Sequence, residues 1–206
     1  MLYNIGVLQM EQQQLQEATA SFREALRIRQ VSPSTGHLND CHVVQTLKKL
    51  SSLHKAKGNI NGALETCFEI LNIQRNGAQV VDDNSLTKRK EMGTSMREIA
   101  ELYHAQGRLP PAVEMAQESI SLLRQVQLAM VGTVEFISCT EELVSGLLLL
   151  GSLNHENCEP MTACFLYNEA AAMIRHVSTF FTTSTELDAM HEVTQILAAC
   201  YCAPVA

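Results

Sequence analysis

Four stretches of this chain place small side chains in one repeating register, and that recurrence constrains the fold more than any other feature. Ala18, Ala63, Ala112 and Ala163 each stand 12 residues after another small residue, respectively Gly6, Ser51, Ala100 and Gly151. The position just before that residue is apolar every time: Ile5, Leu50, Ile99 and Leu150. One turn beyond each alanine comes an anchor, aromatic in Phe22 and Tyr167 and weakened to Cys67 and Ala116 between them. A further turn on stand Ala25, Ile70, Ser119 and Ala170. Two helices approach closely only where one side chain is nearly absent, and larger residues then fill the gaps between neighbouring pairs. Gly58 and Gly107 fall between the small sites, where only glycine takes a left-handed helix cap without strain. Pro110 and Pro160 follow, at helix starts where a missing N–H costs nothing. The pattern predicts a helix, a short break and a second helix, four times over.

The register assigns helix pairs to residues 1–30, 42–76, 85–127 and 136–178. A last helix over 184–203 is expected after Thr183-Ser184-Thr185-Glu186, which has capping-box spacing. Two connectors, Val31–Asn39 and Gly77–Leu86, read as loops, the second with Asp82, Asp83 and Asn84 as N-cap residues. Leu2 already lies inside a first helix, so the outer face of that pair is expected to be bare. Repeats lost upstream, a misassigned start or a docked partner would each account for it.

These small and large positions resemble those of the tetratricopeptide repeat, from Leu2 to His176. The packing alanines are 45, 49 and 51 residues apart, against about 34 in the common repeat. A longer repeat of this kind is similar to the kinesin light chain subgroup. The junction Glu24–Arg29 (EALRIR), a polar loop and Val43–His54 (VVQTLKKLSSLH) carries that likeness. The subgroup's His-Pro pair is replaced here by Asp40 and Cys41. The resemblance implies an all-α, right-handed superhelical solenoid of about four helix pairs plus a C-terminal helix. It also implies a protein–protein interaction scaffold, whose first helices line a concave groove for a partner's peptide segment.

Mapped onto this chain, the groove positions are Tyr3, Val7 and Met10, then Lys48, Ser52 and Lys55, then Arg97, Glu101 and His104, and finally Leu148, Ser152 and His155. The middle six are the expected peptide contacts. Their positive charge at Lys48, Lys55 and Arg97 would attract an acidic segment. A clamp for a terminal carboxylate is not expected, because Ser52 and Thr94 stand where its Asn and Lys belong. Of the asparagines that kinesin-light-chain-like grooves favour, Asn4 alone matches; Lys49, Glu98 and Leu149 fill the other sites. The alternative is structural: a segment of a longer array, or a module that self-associates through Leu2, Ile5 and Leu8 of its first repeat.

Composition bears on what else the chain could do. A net charge of −7 argues against nucleic-acid binding, which needs a basic face, and no basic amphipathic stretch suggests a membrane surface. The apolar run Leu143–Leu153 is broken by Ser145, Gly146, Gly151 and Ser152, and falls short of the roughly 20 residues that span a bilayer. No charged leader precedes Leu2-Tyr3-Asn4-Ile5. The seven cysteines are an odd number and mostly lie on apolar helical faces, so they read as reduced thiols in the cytoplasm rather than as metal ligands. Cys200 and Cys202, separated by Tyr201, are a lone pair and a poor zinc signature. The seven histidines are scattered, and no phosphate loop, dinucleotide fingerprint or nucleophile elbow appears. Cys41 and His42 are sequence neighbours that a helix would turn apart. Neither catalysis, a cofactor nor a metal is expected. Lys88-Arg89-Lys90 reads as an exposed helix turn.

Overall fold

The computed structural model describes residues 1–31, 37–77, 85–133 and 135–180. They form eight α-helices: α1 (Leu2–Glu11), α2 (Leu15–Val31), α3 (His37–Ala56), α4 (Ile60–Gly77), α5 (Ser85–Ala105), α6 (Leu109–Ala129), α7 (Glu135–Glu156) and α8 (Pro160–Phe180). No strand occurs among the described residues. The helices pair as α1–α2, α3–α4, α5–α6 and α7–α8. Both connectors are shorter than the sequence predicts: Val31 belongs to α2, His37–Asn39 to α3, Gly77 to α4, and Ser85 and Leu86 to α5. From His37 to Lys57 there is no Gly or Pro, so nothing in the chain stops α3 from extending back past Asp40. The predicted helix over 184–203 and the caps Asp82, Asp83 and Asn84 lie outside the described residues.

Each break between paired helices is the same turn. Gln13, Gly58, Gly107 and Cys158, each five residues before a packing alanine, take positive φ values of 63°, 69°, 70° and 61°. The following amides, of Gln14, Asn59, Arg108 and Glu159, donate to carbonyls five residues back, of Gln9, His54, Tyr103 and Asn154, at 2.8–2.9 Å. That is the Schellman closure of a helix. Asn59 also opens α4, its Oδ1 accepting the Gly62 N–H at 3.0 Å. Pro110 and Pro160 stand in the first turns of α6 and α8.

Across each pair, the residue 16 positions after the first small site packs directly onto it. A Cβ on Gly6 would sit 2.9 Å from the Phe22 ring, and one on Gly151 would sit 2.8 Å from Tyr167 Cζ. Where the first site has a side chain, the anchor is reduced to match. Ser51 Oγ lies 3.2 Å from Cys67 Sγ, and Ala100 and Ala116 are both wholly buried. The inner anchors are therefore not weakened copies of the outer ones. Glycine with an aromatic ring and serine or alanine with a small anchor are two ways to fill the same gap.

The chain divides into two compact units, Met1–Asp82 and Asp83–Ala206. In the first, Ala18, Phe22, Leu50 and Leu53 form one buried cluster, and Val43, Val44, Leu47 and Ile70 another. In the second, one core runs from Ala100 through α6 and α7 to Ile174. α7 is the one described helix long and apolar enough to cross a membrane by composition, and half of that stretch is buried against its neighbours. Ile5 departs from the register: it is 40% exposed, whereas Leu50, Ile99 and Leu150 are buried. Leu50 is buried because it packs on Ala18 and Phe22 of the preceding pair, and no described helix precedes α1.

Cys67 and Cys139 are buried free thiols, burial raising the pKa of Cys139, while Cys41 and Cys158 are free and exposed. Cys164 is disulfide-bonded, which corrects the all-reduced reading; its partner lies outside the described residues.

Candidate protein-binding face

On α3, the positions predicted to meet a partner do face outward. Lys48, Ser52 and Lys55 are all exposed, and Cys41 and Gln45 continue the same exposed stripe towards the helix start. Their spacing of three and four residues keeps them on one face. The Ser52 hydroxyl donates to its own helix, to Lys48 O at 3.0 Å, which fixes it between the two lysine stems. The buried side of α3 explains why this face turns out: Val43, Val44, Leu47, Leu50 and Leu53 are all committed to the two apolar clusters.

α1 offers no comparable face. Tyr3, Val7 and Met10, mapped to the groove from the sequence, pack partly buried against Ala18, Phe22, Leu50 and Leu53. Tyr3 meets Phe22 edge-on at 5.6 Å, and the Arg29 guanidinium lies 5.2 Å above its ring.

On α5, Arg97, Glu101 and His104 again share a face, but the charge there is already answered from within the chain. Arg97 is ion-paired to Glu101 one turn on, and its Nη2 donates to Glu142 of α7 at 3.1 Å. Its side chain is only 18% exposed. Burial works to lower the Arg97 pKa, but Glu101 and Glu142 outweigh it and hold it above the ordinary arginine value. His104 Nε2 lies 2.9 Å from both Glu156 carboxylate oxygens. Two turns before Arg97, Lys90 donates to Ser138 at 2.9 Å. Lys90, Arg97 and His104, at seven-residue spacing, thus form a polar seam that ties α5 to α7. Arg97 therefore holds two first helices together, in place of the unpaired positive charge expected there. The seam was missed because Glu142 and Glu156 lie on another helix, although the seven-residue spacing of the three basic residues was visible. Of the α7 groove positions, Leu148 is packed partly buried against the core, Ser152 is half-buried and His155 is exposed. Within the basic run, Arg89 donates to Gln125 at 2.9 Å, so Arg89 and Lys90 both bond to neighbouring helices.

Charge is also unevenly divided. Residues 1–82 carry 8 Lys/Arg and 7 Asp/Glu, whereas residues 83–206 carry 7 and 15. The lysine stripe of α3 therefore sits in the half that does not bear the net negative charge. Among the described residues no group of acidic, His or Cys side chains is arranged to hold a metal ion.

Paired helices closed by one repeated turn, with small residues at each crossing, define a tetratricopeptide-type repeat. Residues 93–126, which span most of α5 and α6, match the family described as tetratricopeptide repeat. The fold of the whole chain is similar to that of BtubC (BKLC) from P. vanneervenii. The TM-score is 0.70 at 14% identity, over 97% of this chain and 70% of that one. It is also similar to the kinesin light chain TPR-like repeats of Podospora anserina (TM-score 0.60, 16% identity, 97% and 82% covered). A third likeness is to the yeast histone chaperone Hif1, described as a scaffold protein recruiting protein complexes to core histones (TM-score 0.63, 10% identity, 98% and 94% covered). No curated protein matches the sequence. The fold expected from the sequence, all-α tetratricopeptide-like repeats with kinesin-light-chain-type neighbours, is the one observed. Such a fold supports a protein-interaction scaffold role in general terms.

Proposed function

We propose that this chain is a protein-interaction module whose α3 face, Lys48–Ser52–Lys55, receives an acidic segment of a partner protein. One observation carries the reading: Lys48, Ser52 and Lys55 line a single outward face of α3. In the second unit, Glu101 and His104 are bonded to Arg97 and Glu156 and are not part of this face. Steering by two lysines is an electrostatic effect that weakens with salt.

A library of peptides screened against the purified chain and a Lys48→Glu/Lys55→Glu variant tests this. Acidic peptides retained by the wild type and lost by the variant are expected, with enrichment declining as salt rises. Enrichment that the variant keeps, or no enrichment of acidic sequences, would remove α3 as the receptor. Arg97→Glu is unsuitable as a probe, because it would put a third carboxylate beside Glu101 and Glu142 and break the seam.

A second reading rests on α1, where Ile5 and Leu8 are 40% and 56% exposed. An apolar face of that kind suits self-association or packing against another repeat. It predicts that Ile5→Glu/Leu8→Glu changes assembly and leaves peptide selection untouched.

A further inference from the structure

The disulfide at Cys164 has two possible partners. Of the seven cysteines, Cys41, Cys67, Cys139 and Cys158 are free, which leaves Cys200 and Cys202. Cys164 itself sits on the side of α8 where a following helix would pack. In the register, Val113, Gln117, Ile120 and Arg124 of α6 stand where Cys164, Asn168, Ala171 and Arg175 stand on α8. On α6 that side receives the next pair. Gln117, Ile120 and Arg124 border one cleft with Leu150 of α7 and Leu166 of α8, and Arg124 bonds to Glu169 at 2.7 Å. Ala171, the counterpart of Ile120, is 5% exposed, although no described helix follows α8.

We propose that Cys164 is bonded to Cys200, and that this bond latches residues 184–203 along α8 as an antiparallel helix. In the helix expected there, Cys200 shares a stripe with Ala189, Val193 and Ile196, at spacings of four, three and four residues. Cys202 falls instead with Asp188, His191 and Gln195, on the polar side. Read backwards, the Cys200 stripe has the same spacings as Cys164, Asn168, Ala171 and Arg175, which sets Val193 over Ala171. Length agrees as well. Cys164 lies 16 residues before Phe180 and Cys200 lies 16 after Ser184, each about 24 Å of helix, with residues 181–183 left for the turn. Pairing with Cys202 would turn Asp188, His191 and Gln195 onto α8 and leave Val193 and Ile196 in water.

Such a latch depends on redox state. Closing it converts two thiols to one disulfide, and the two protons and two electrons pass to a small-molecule disulfide that leaves as two thiols. A dithiol reverses the exchange. When the bond is closed, the segment covers the side of α8 that would otherwise receive another helix pair; when it is open, packing alone holds the segment there. The proposal goes beyond the α3 reading and uses none of its residues.

Peptide mapping tests the pairing, on the full chain equilibrated with reduced and oxidised glutathione and then alkylated without further reduction. Peptides containing Cys164 and Cys200 are expected to be linked, with Cys202 alkylated. Linkage of Cys164 to Cys202 or to a second copy, or an alkylated Cys164, would overturn it. Limited proteolysis by subtilisin reads the latch. Dithiothreitol, or Cys200→Ser without it, should speed cleavage within residues 181–206 at least about tenfold, because the closed loop restricts local opening. Cys202→Ser should be cut as slowly as wild type. A rate that dithiothreitol leaves unchanged, or equal acceleration by Cys202→Ser, would overturn the latch.

Discussion

Gly151→Ala is the sharpest probe of how the helix pairs are fitted together. The added methyl would sit 2.8 Å from Tyr167 Cζ and 2.9 Å from Cδ1, inside any real carbon–carbon contact, and Tyr167 is 1% exposed. Overpacking of a filled core costs about 1–3 kcal/mol. Alanine in place of glycine within a helix returns about 0.5–1 kcal/mol. The net expectation is a loss of about 1–2 kcal/mol, and each kcal/mol lowers the melting temperature of a chain this size by roughly 2–4 °C. Reducing the ring should relieve it, because Ser51 with Cys67 and Ala100 with Ala116 fill the same gap with the sizes traded. Tyr167→Leu alone leaves a void, and Gly151→Ala/Tyr167→Leu partly refills it. Thermal and denaturant unfolding followed by circular dichroism would give the four corners of the cycle. A favourable coupling of about 1 kcal/mol or more is expected, and additivity within about 0.5 kcal/mol would refute the size-trading account.

Three other expectations are independent of it. Cys158→Gly relieves a left-handed residue that the second and third pairs already fill with glycine, and should stabilise the second unit by about 0.5–1 kcal/mol in the same assay, since the strain is about 1–2 kcal/mol and glycine's entropy offsets part of it. Gln74 is buried with neither amide atom bonded among the described residues, while the register places Leu123 and Ile174 at the equivalent sites; Gln74→Leu should stabilise by about 1–2 kcal/mol in chemical denaturation. Burial first, then Arg23 and Lys57, lowers the His54 pKa below its ordinary 6.5. Below that value the unfolded chain binds the proton more readily than the folded one, so stability should fall as pH drops through about 6.5 and His54→Gln should flatten the decline.

Much of the fold was legible because close helix crossing demands small residues at fixed positions, whatever the intervening length. Ala18, Ala63, Ala112 and Ala163 are all wholly buried, and Gly58 and Gly107 take the left-handed turn expected of them. The sequence does not mark Gln13 and Cys158 in the same turn, since neither residue type favours it. It also makes Cys67 and Ala116 look like decay, because a size match across 16 residues is invisible until the two helices are paired. Ile5 is apolar for the same reason as Leu50, yet its burial depends on a neighbour that the local pattern cannot supply. The interaction face was legible only in part. Lys48, Ser52 and Lys55 follow from helical spacing alone, whereas the fate of Arg97 depends on Glu142 of another helix, 45 residues away.

The most direct test of the binding reading is a photo-crosslinking residue placed at position 48, and separately at Phe165, in the presence of an acidic peptide selected by the wild-type chain. Capture of the peptide from position 48, lost on Lys55→Glu and absent from position 165, is the predicted result. Capture from position 165 alone would place the partner on α8 and contradict the assignment of α3 as the receiving face.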